Sequence, residues 1–172
     1  MTQALYIAAA FAIGIGNATQ LVMLTALARS RGSVEGAFTS LVTTVLGFGV
    51  VLAILAWRQG SLAMPAPYDR WPVFLALVLV FTAGTVFIMR GLNGYFVVTG
   101  LFALPLLIGT GFLGPRIGIG MFIAAVLAGQ LSGAVVYDHI GAFGAEVRRV
   151  DGLRALGVLA LLSGVVLIRG VR

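Results

Sequence analysis

Apolar runs of about 20 residues, the length a bilayer needs, recur along the chain and are separated by short polar or glycine-proline stretches. The first covers Gln3 to Ala28 and gives way to Arg29-Ser30-Arg31-Gly32-Ser33, a polar turn. Ser33 suits an N-cap and Glu35 a first helical turn, so a second helix is expected over 34–57, closing on Trp57 and Arg58 at an interface. Gln59 to Arg70 reads as a loop, broken by Gly60, Pro65 and Pro67. From Pro72 to Leu113 the next 42 residues are largely apolar. As one helix they would measure about 63 Å, twice the hydrocarbon thickness, so the chain must double back. Arg90-Gly91-Leu92-Asn93-Gly94 supplies that turn, giving spans over 71–90 and 95–113, with Pro105 expected to kink the second. Gly114-Pro115-Arg116 then leads into a fifth span over 117–138. After a polar stretch from His139 to Asp151, a short sixth span over 152–168 requires Arg154 to snorkel towards the interface. The pattern predicts an all-α, polytopic transmembrane bundle of about six spans: 3–28, 34–57, 71–90, 95–113, 117–138 and 152–168. Residues 1–172 are expected to form a single integral membrane domain.

Composition sharpens this reading. The chain is 60% hydrophobic and 9% charged, where ordinary soluble domains carry roughly 25% charged residues. Its apolar runs lack a polar helical face, so a soluble fold is excluded and the lipid bilayer is the expected surrounding. The formal charge of +6 comes from eleven arginines, set at segment ends rather than on one face. Headgroup anchoring explains them better than nucleic-acid binding does. With no cysteine, one histidine and five acids, no disulfide, thiol chemistry, metal centre or cofactor is expected. The first segment does not read as a cleaved signal, because its start carries no basic side chain and further spans follow.

The arginines leave orientation open. With the N-terminus inside, Arg58, Arg70, Arg116, Arg169 and Arg172 fall on the cytoplasmic side, against Arg29, Arg31, Arg90, Arg148, Arg149 and Arg154 opposite. Such a balance gives no positive-inside bias. Two readings follow: the same chain inserts both ways and pairs antiparallel, or a partner protein or a miscounted span settles the orientation.

Against this apolar background, the polar residues within spans are the candidate chemistry. Gln130 sits between the glycines of Gly129-x-x-x-Gly133, deep in the uncharged run Gly118–Tyr137, with Tyr137 on its helical stripe. In lipid its amide needs either a solute or a neighbouring helix, and Gly129 and Gly133 suit a close helix crossing. Asn17 and Gln20 share a stripe with Tyr6, Ile13 and Leu24 and face the same two alternatives. Asn17, Gln20, Gln130 and Tyr137 are therefore the candidate substrate-binding residues. Asp138, His139 and Glu35 are candidate proton-linked groups, each standing at a span end where a solvated helix terminus is the competing reading. No span carries a charge at its middle, which favours uncharged or zwitterionic solutes. No nucleophile–base set emerges, so no catalytic residue is assigned.

Several motifs resemble one family. Pro115-Arg116-Ile117-Gly118, Gly129-Gln130-Leu131 and Asp138-His139-Ile140-Gly141-Ala142-Phe143-Gly144 are similar to the C-terminal signature of the YdcZ-like inner-membrane proteins. These belong to the drug/metabolite transporter superfamily, beside the EamA-like and small multidrug resistance transporters. Leu27-Ala28-Arg29-Ser30-Arg31-Gly32-Ser33, with Ala37 and Gly47, resembles the family's first loop and second helix, and Gly157 and Gly164 fit its last helix. The resemblance covers roughly 1–58 and 92–170. It implies a small-molecule transporter of the bacterial inner membrane, acting as an exporter and as a homodimer or with a paralogous half. A non-transporting subunit of a membrane complex is the alternative. The family's usual five spans make 71–90 an additional one. Gln20 lies near the family's glutamine, whereas Thr25 stands where an asparagine is common. The membrane-embedded glutamate used by proton-coupled small multidrug resistance proteins has no counterpart in the first span.

Overall fold

In the computed structural model, which describes residues 2–170, every regular element is helical. The elements are α1 (Thr2–Arg31), α2 (Ser33–Gln59), α3 (Trp71–Ile88), a 3-10 helix (Gly94–Phe102) running directly into α4 (Ala103–Ile117), α5 (Ile119–Ile140), a 3-10 turn (Ala142–Gly144) and α6 (Gly152–Arg169). Five stretches are long and apolar enough to cross a membrane: α1, α2, α3, Gly94–Ile117 and α5. Gly152–Ile168 is a shorter apolar helix. Arg172 lies outside the described residues.

Three junctions differ from the sequence expectation. Arg29, Ser30 and Arg31 continue α1 as its last turn, and the break falls on Gly32 alone, whose φ of +97° is open to glycine but not to most residues. Ser33 is the first residue of α2 rather than its cap, and no side chain caps that end. Gly114-Pro115-Arg116 likewise stays helical, and the chain reverses at Gly118, with φ +84°. Pro115 is tolerated so near the helix end because few backbone bonds remain to be lost there, and the Arg116 guanidinium folds back to donate to the Phe112 carbonyl. Pro105, expected inside a continuous span, stands just past a change from 3-10 to α-helix. Lacking an N–H for the Leu101 carbonyl, it sits in the first turn of α4, immediately after the 3-10 helix.

The chain divides into two compact units, Met1–Ala26 with Pro105–Arg172, and Leu27–Leu104. In the first, a Cβ on Gly109 would lie 3.8 Å from the Phe122 ring. A straight helix would hold those positions about 19 Å apart, so α4 and α5 form an antiparallel hairpin about Gly118. α1 runs parallel to α5, because Phe11 meets Gly129, Ala18 meets Gly133 and Thr19 meets Tyr137 in ascending order along both helices. Their shared core holds Ala10, Leu113, Ile117, Met121, Phe122, Ala125 and Val126. α6 returns along α5, bringing Arg154 to 3.9 Å from Asp138 and Val165 onto that core.

In the second unit, α3 runs antiparallel to α2. A Cβ on Gly49 would stand 2.9 Å from Leu77, and Trp57 and Trp71 line one cleft at the hairpin's other end. The 3-10 helix runs parallel to α2, with Gly100 against Ser40–Thr44 and Leu101 and Leu104 against Gly47. Most exposed side chains of α3, among them Leu79, Val80 and Phe87, are apolar and suited to lipid. Arg31 reaches across to donate from its guanidinium to the Ile88 and Arg90 carbonyls at the C-terminal end of α3, where orphan carbonyls and the helix dipole both favour a cation. Arg31→Gln should therefore lower stability by about 1–2 kcal/mol, read as a reduced melting temperature in detergent. A melting temperature equal to that of the unsubstituted chain would show that the carbonyls find other partners.

Candidate functional site

The α1–α5 contact is a backbone-to-backbone crossing. α1 presents Ala10, Gly14 and Ala18, one turn apart, and α5 presents Gly129 and Gly133. A Cβ on Gly14 would lie 2.1 Å from the Val126 carbonyl oxygen, and one on Gly129 would lie 2.0 Å from that of Phe11. At Gly133 the added atom would come within 3.0 Å of the Ala18 Cβ. At Gly14 and Gly129 only glycine permits this approach. Between apolar helices in lipid, such close packing is a main source of association.

Of the candidate amides, Gln130 stands beside this crossing, and Asn17 and Gln20 lie on another face of α1. Gln130 follows Gly129, and its backbone nitrogen is 2.8 Å from where a Gly14 Cβ would stand. Its side chain is half-buried and makes no hydrogen bond to another described residue. Asn17, three residues beyond Gly14, is in the same condition. Gln20 is also half-buried. Tyr137 pairs with Thr19, hydroxyl to hydroxyl, at 2.7 Å. Since the Thr19 hydroxyl donates to the Ile15 carbonyl at 3.0 Å, the phenol proton goes to Thr19. The phenol oxygen keeps acceptor capacity, and the ring holds the two helices in register. One further polar atom is buried without a partner, the Ser132 hydroxyl, two residues past Gln130. The described surroundings of the crossing thus include two amides offering both donors and acceptors, and no charged group on α1 or α5 within two turns of Gln130.

Asp138 and His139 close the far end of α5. Gly141, in the left-handed conformation, caps the helix by donating to the Asp138 and Tyr137 carbonyls. The Arg148 N–H donates to the Asp138 carbonyl at 2.8 Å, and the Val150 N–H to His139 Nδ1 at 3.2 Å. The Asp138 carboxylate faces Arg154 across 3.9 Å, with both side chains substantially exposed, so the pair adds little stability. Asp151 then caps α6, accepting from the Arg154 N–H at 2.8 Å. These groups order the loop between α5 and α6. Glu35 belongs to the other unit. It is exposed in the first turn of α2, and lines an open cleft of about 420 Å³ with Arg31, Val34, Phe38, Thr39 and Ile88. No group of three or more metal-ligating side chains occurs among the described residues.

Gly14, like Gly16, marks in the sequence a place where the first helix allows close backbone approach, and at Gly14 the structure has one; Thr19 and Ser132 carry no such signal. The spacing Ala10-x-x-x-Gly14-x-x-x-Ala18 was a readable signal, being the small-residue complement of Gly129-x-x-x-Gly133. The Asn17–Gln20 stripe, selected for its polar residues, lies on a different face of α1 from the one that meets α5.

Comparison with known families decides the assignment. One family model, described as "Putative inner membrane exporter, YdcZ", matches residues 5–167. The chain belongs to the YdcZ family. The match runs through 59–91, which the motif resemblance leaves out, so α3 lies within the matched range. Membership, with five span-capable helices and a shorter one, makes this a multi-pass inner-membrane protein of an exporter family, and the YdcZ description is that of a transporter rather than an enzyme. No curated protein and no solved structure matches the chain.

Proposed function

We propose that this YdcZ-family chain is a secondary exporter of an uncharged or zwitterionic small molecule, held near the membrane midplane by the Asn17 and Gln130 amides. The observation that carries the reading is that both amides, one on each of two helices that cross backbone to backbone, are half-buried and bond to no described residue. In lipid an unmet amide is costly, and a solute able to donate and accept would satisfy it. Tyr137 and Gln20 are the next polar side chains for such a solute, and a site beside a crossing suits helices that rock about it. Asp138 and His139 bond to the segment that follows α5, and Glu35 is exposed in the first turn of α2, so coupling through them is not part of this reading.

The working unit is a homodimer or a pair with a paralogous half, and the arginine balance allows two copies in opposite orientations. Inside-out vesicles offered labelled neutral, zwitterionic and cationic solutes test the proposal. Saturable uptake of a neutral or zwitterionic solute, absent from vesicles lacking the protein, is expected. Uptake confined to cations would contradict it. Purification of a stable heteromer without flux in liposomes would favour the alternative, a non-transporting subunit. Tags on both termini should report a mixed orientation; a single orientation would remove the antiparallel pair.

A further inference from the structure

The stretch Gly94–Phe102 is a 3-10 helix nine residues long, whereas such helices seldom exceed three or four residues because their hydrogen bonds are poorly aligned. Its sequence, GYFVVTGLF, contains nothing that forbids the α form. Two features on neighbouring residues show what holds it and what it lacks.

Gly100 is clamped by α2. Its N–H donates to the Thr43 hydroxyl at 3.1 Å, and its carbonyl accepts from the Thr44 hydroxyl at 3.0 Å. A Cβ there would lie 2.3 Å from the Ser40 carbonyl oxygen, so only glycine can enter the clamp. Thr43 donates back to the Ser40 carbonyl at 3.0 Å, and the single Thr44 proton is shared between the Ser40 and Gly100 carbonyls, at 2.8 and 3.0 Å, which fixes both hydroxyls on the face of α2. The adjacent residue is the reverse case. Thr99 is 0% exposed, and its hydroxyl has no partner. An α-helical threonine ordinarily donates to the carbonyl four residues back, as Thr39, Thr44, Thr85 and Thr110 all do here. For Thr99 that acceptor is the Tyr95 carbonyl, which the 3-10 geometry moves out of reach.

We infer that Gly94–Phe102 is a two-state element that exchanges between the clamped 3-10 helix and an α-helix. The 3-10 form satisfies Gly100 and orphans Thr99; the α form satisfies Thr99 and releases Gly100 from Thr43 and Thr44. The rise falls from 2.0 to 1.5 Å per residue on conversion, so nine residues shorten by about 4.5 Å. The turn per residue falls from 120° to 100°, so one end of the segment rotates against the other by roughly 180°. Pro105 bounds the change by interrupting the α ladder at Leu101. Conversion of this kind re-aims the side chains of a span without unfolding it, whatever solute the protein carries.

The test uses spin labels at Asn93→Cys and Leu107→Cys, both exposed positions, in a chain with no native cysteine. Pulsed electron-electron distances in the full-length protein should show two components. Thr99→Val removes the orphan of one state and the bond of the other, and should shift the ratio about five- to tenfold towards the 3-10 component. Thr43→Val and Thr44→Val weaken the clamp and should shift it by a similar factor in the opposite sense. All three changes are nearly isosteric. A single distance unchanged by any of them, or shifts in the same direction for Thr99→Val and Thr43→Val, would overturn the inference.

Discussion

Gly129→Ala should destabilise the protein by about 1–3 kcal/mol, the usual cost of forcing atoms into a packed contact, and Gly14→Ala should do the same. The added methyl would stand 2.0 Å from the Phe11 carbonyl oxygen in the first case and 2.1 Å from that of Val126 in the second. In both cases the obstacle is backbone, which cannot rotate away, so α1 and α5 must separate. Separation also breaks the 2.7 Å bond between Thr19 and Tyr137. Because one displacement relieves both clashes, the double variant should cost less than the sum of the two single ones. Gly84 and Gly164 are the internal comparison, since a Cβ at either meets nothing within 4 Å. Alanine there should be neutral or stabilising by up to about 1 kcal/mol through helix propensity. Thermal unfolding in detergent separates the two sets. If Gly129→Ala melts with Gly84→Ala, the crossing is not as tight as described.

Gln130→Leu should reduce export at least tenfold while leaving stability unchanged or slightly raised. The two readouts distinguish the roles open to a membrane glutamine. An amide that bonds another helix contributes roughly 0.6–2 kcal/mol, which its loss would remove. Here the Gln130 amide bonds to no described residue, so leucine, of similar size and without polar atoms, gives up nothing within the chain and removes a desolvated group. The flux loss follows from the solute's side, where an unmatched polar group would be left in a buried site. Asn17→Leu should behave alike. Lost flux together with lost stability would instead identify Gln130 as structural.

How far the sequence reveals this architecture depends on the kind of signal. Span positions are legible because lipid demands long apolar runs, and the hairpin over 71–113 follows from length alone. Helix ends are less legible. The polar letters of Arg29–Ser33 and the proline of Gly114–Arg116 mark breaks, but the backbone turns only where a positive φ is needed, at Gly32 and Gly118. The crossing was half-visible. Gly129 and Gly133 announce a close approach, while their partner is a run of alanines and one glycine that resembles ordinary membrane sequence. The long 3-10 helix has no periodic signature, because it depends on hydroxyls from α2, 57 and 56 residues away in the chain. Which polar side chain lacks a partner is likewise invisible in one dimension: Gln130 and Thr44 look equally suited to a helix contact, and only Thr44 has one.

The most direct test of the central claim is ligand-induced stabilisation, using the solute selected by the vesicle experiment. A solute at 100 times its dissociation constant stabilises the protein that binds it by about 2.7 kcal/mol. The account predicts a saturable rise in melting temperature for the unsubstituted chain and for Asp138→Asn, and none for Gln130→Leu or Asn17→Leu at the same concentration. An equal rise in Gln130→Leu and in the unsubstituted chain would show that the solute binds without touching the amide, and would contradict it.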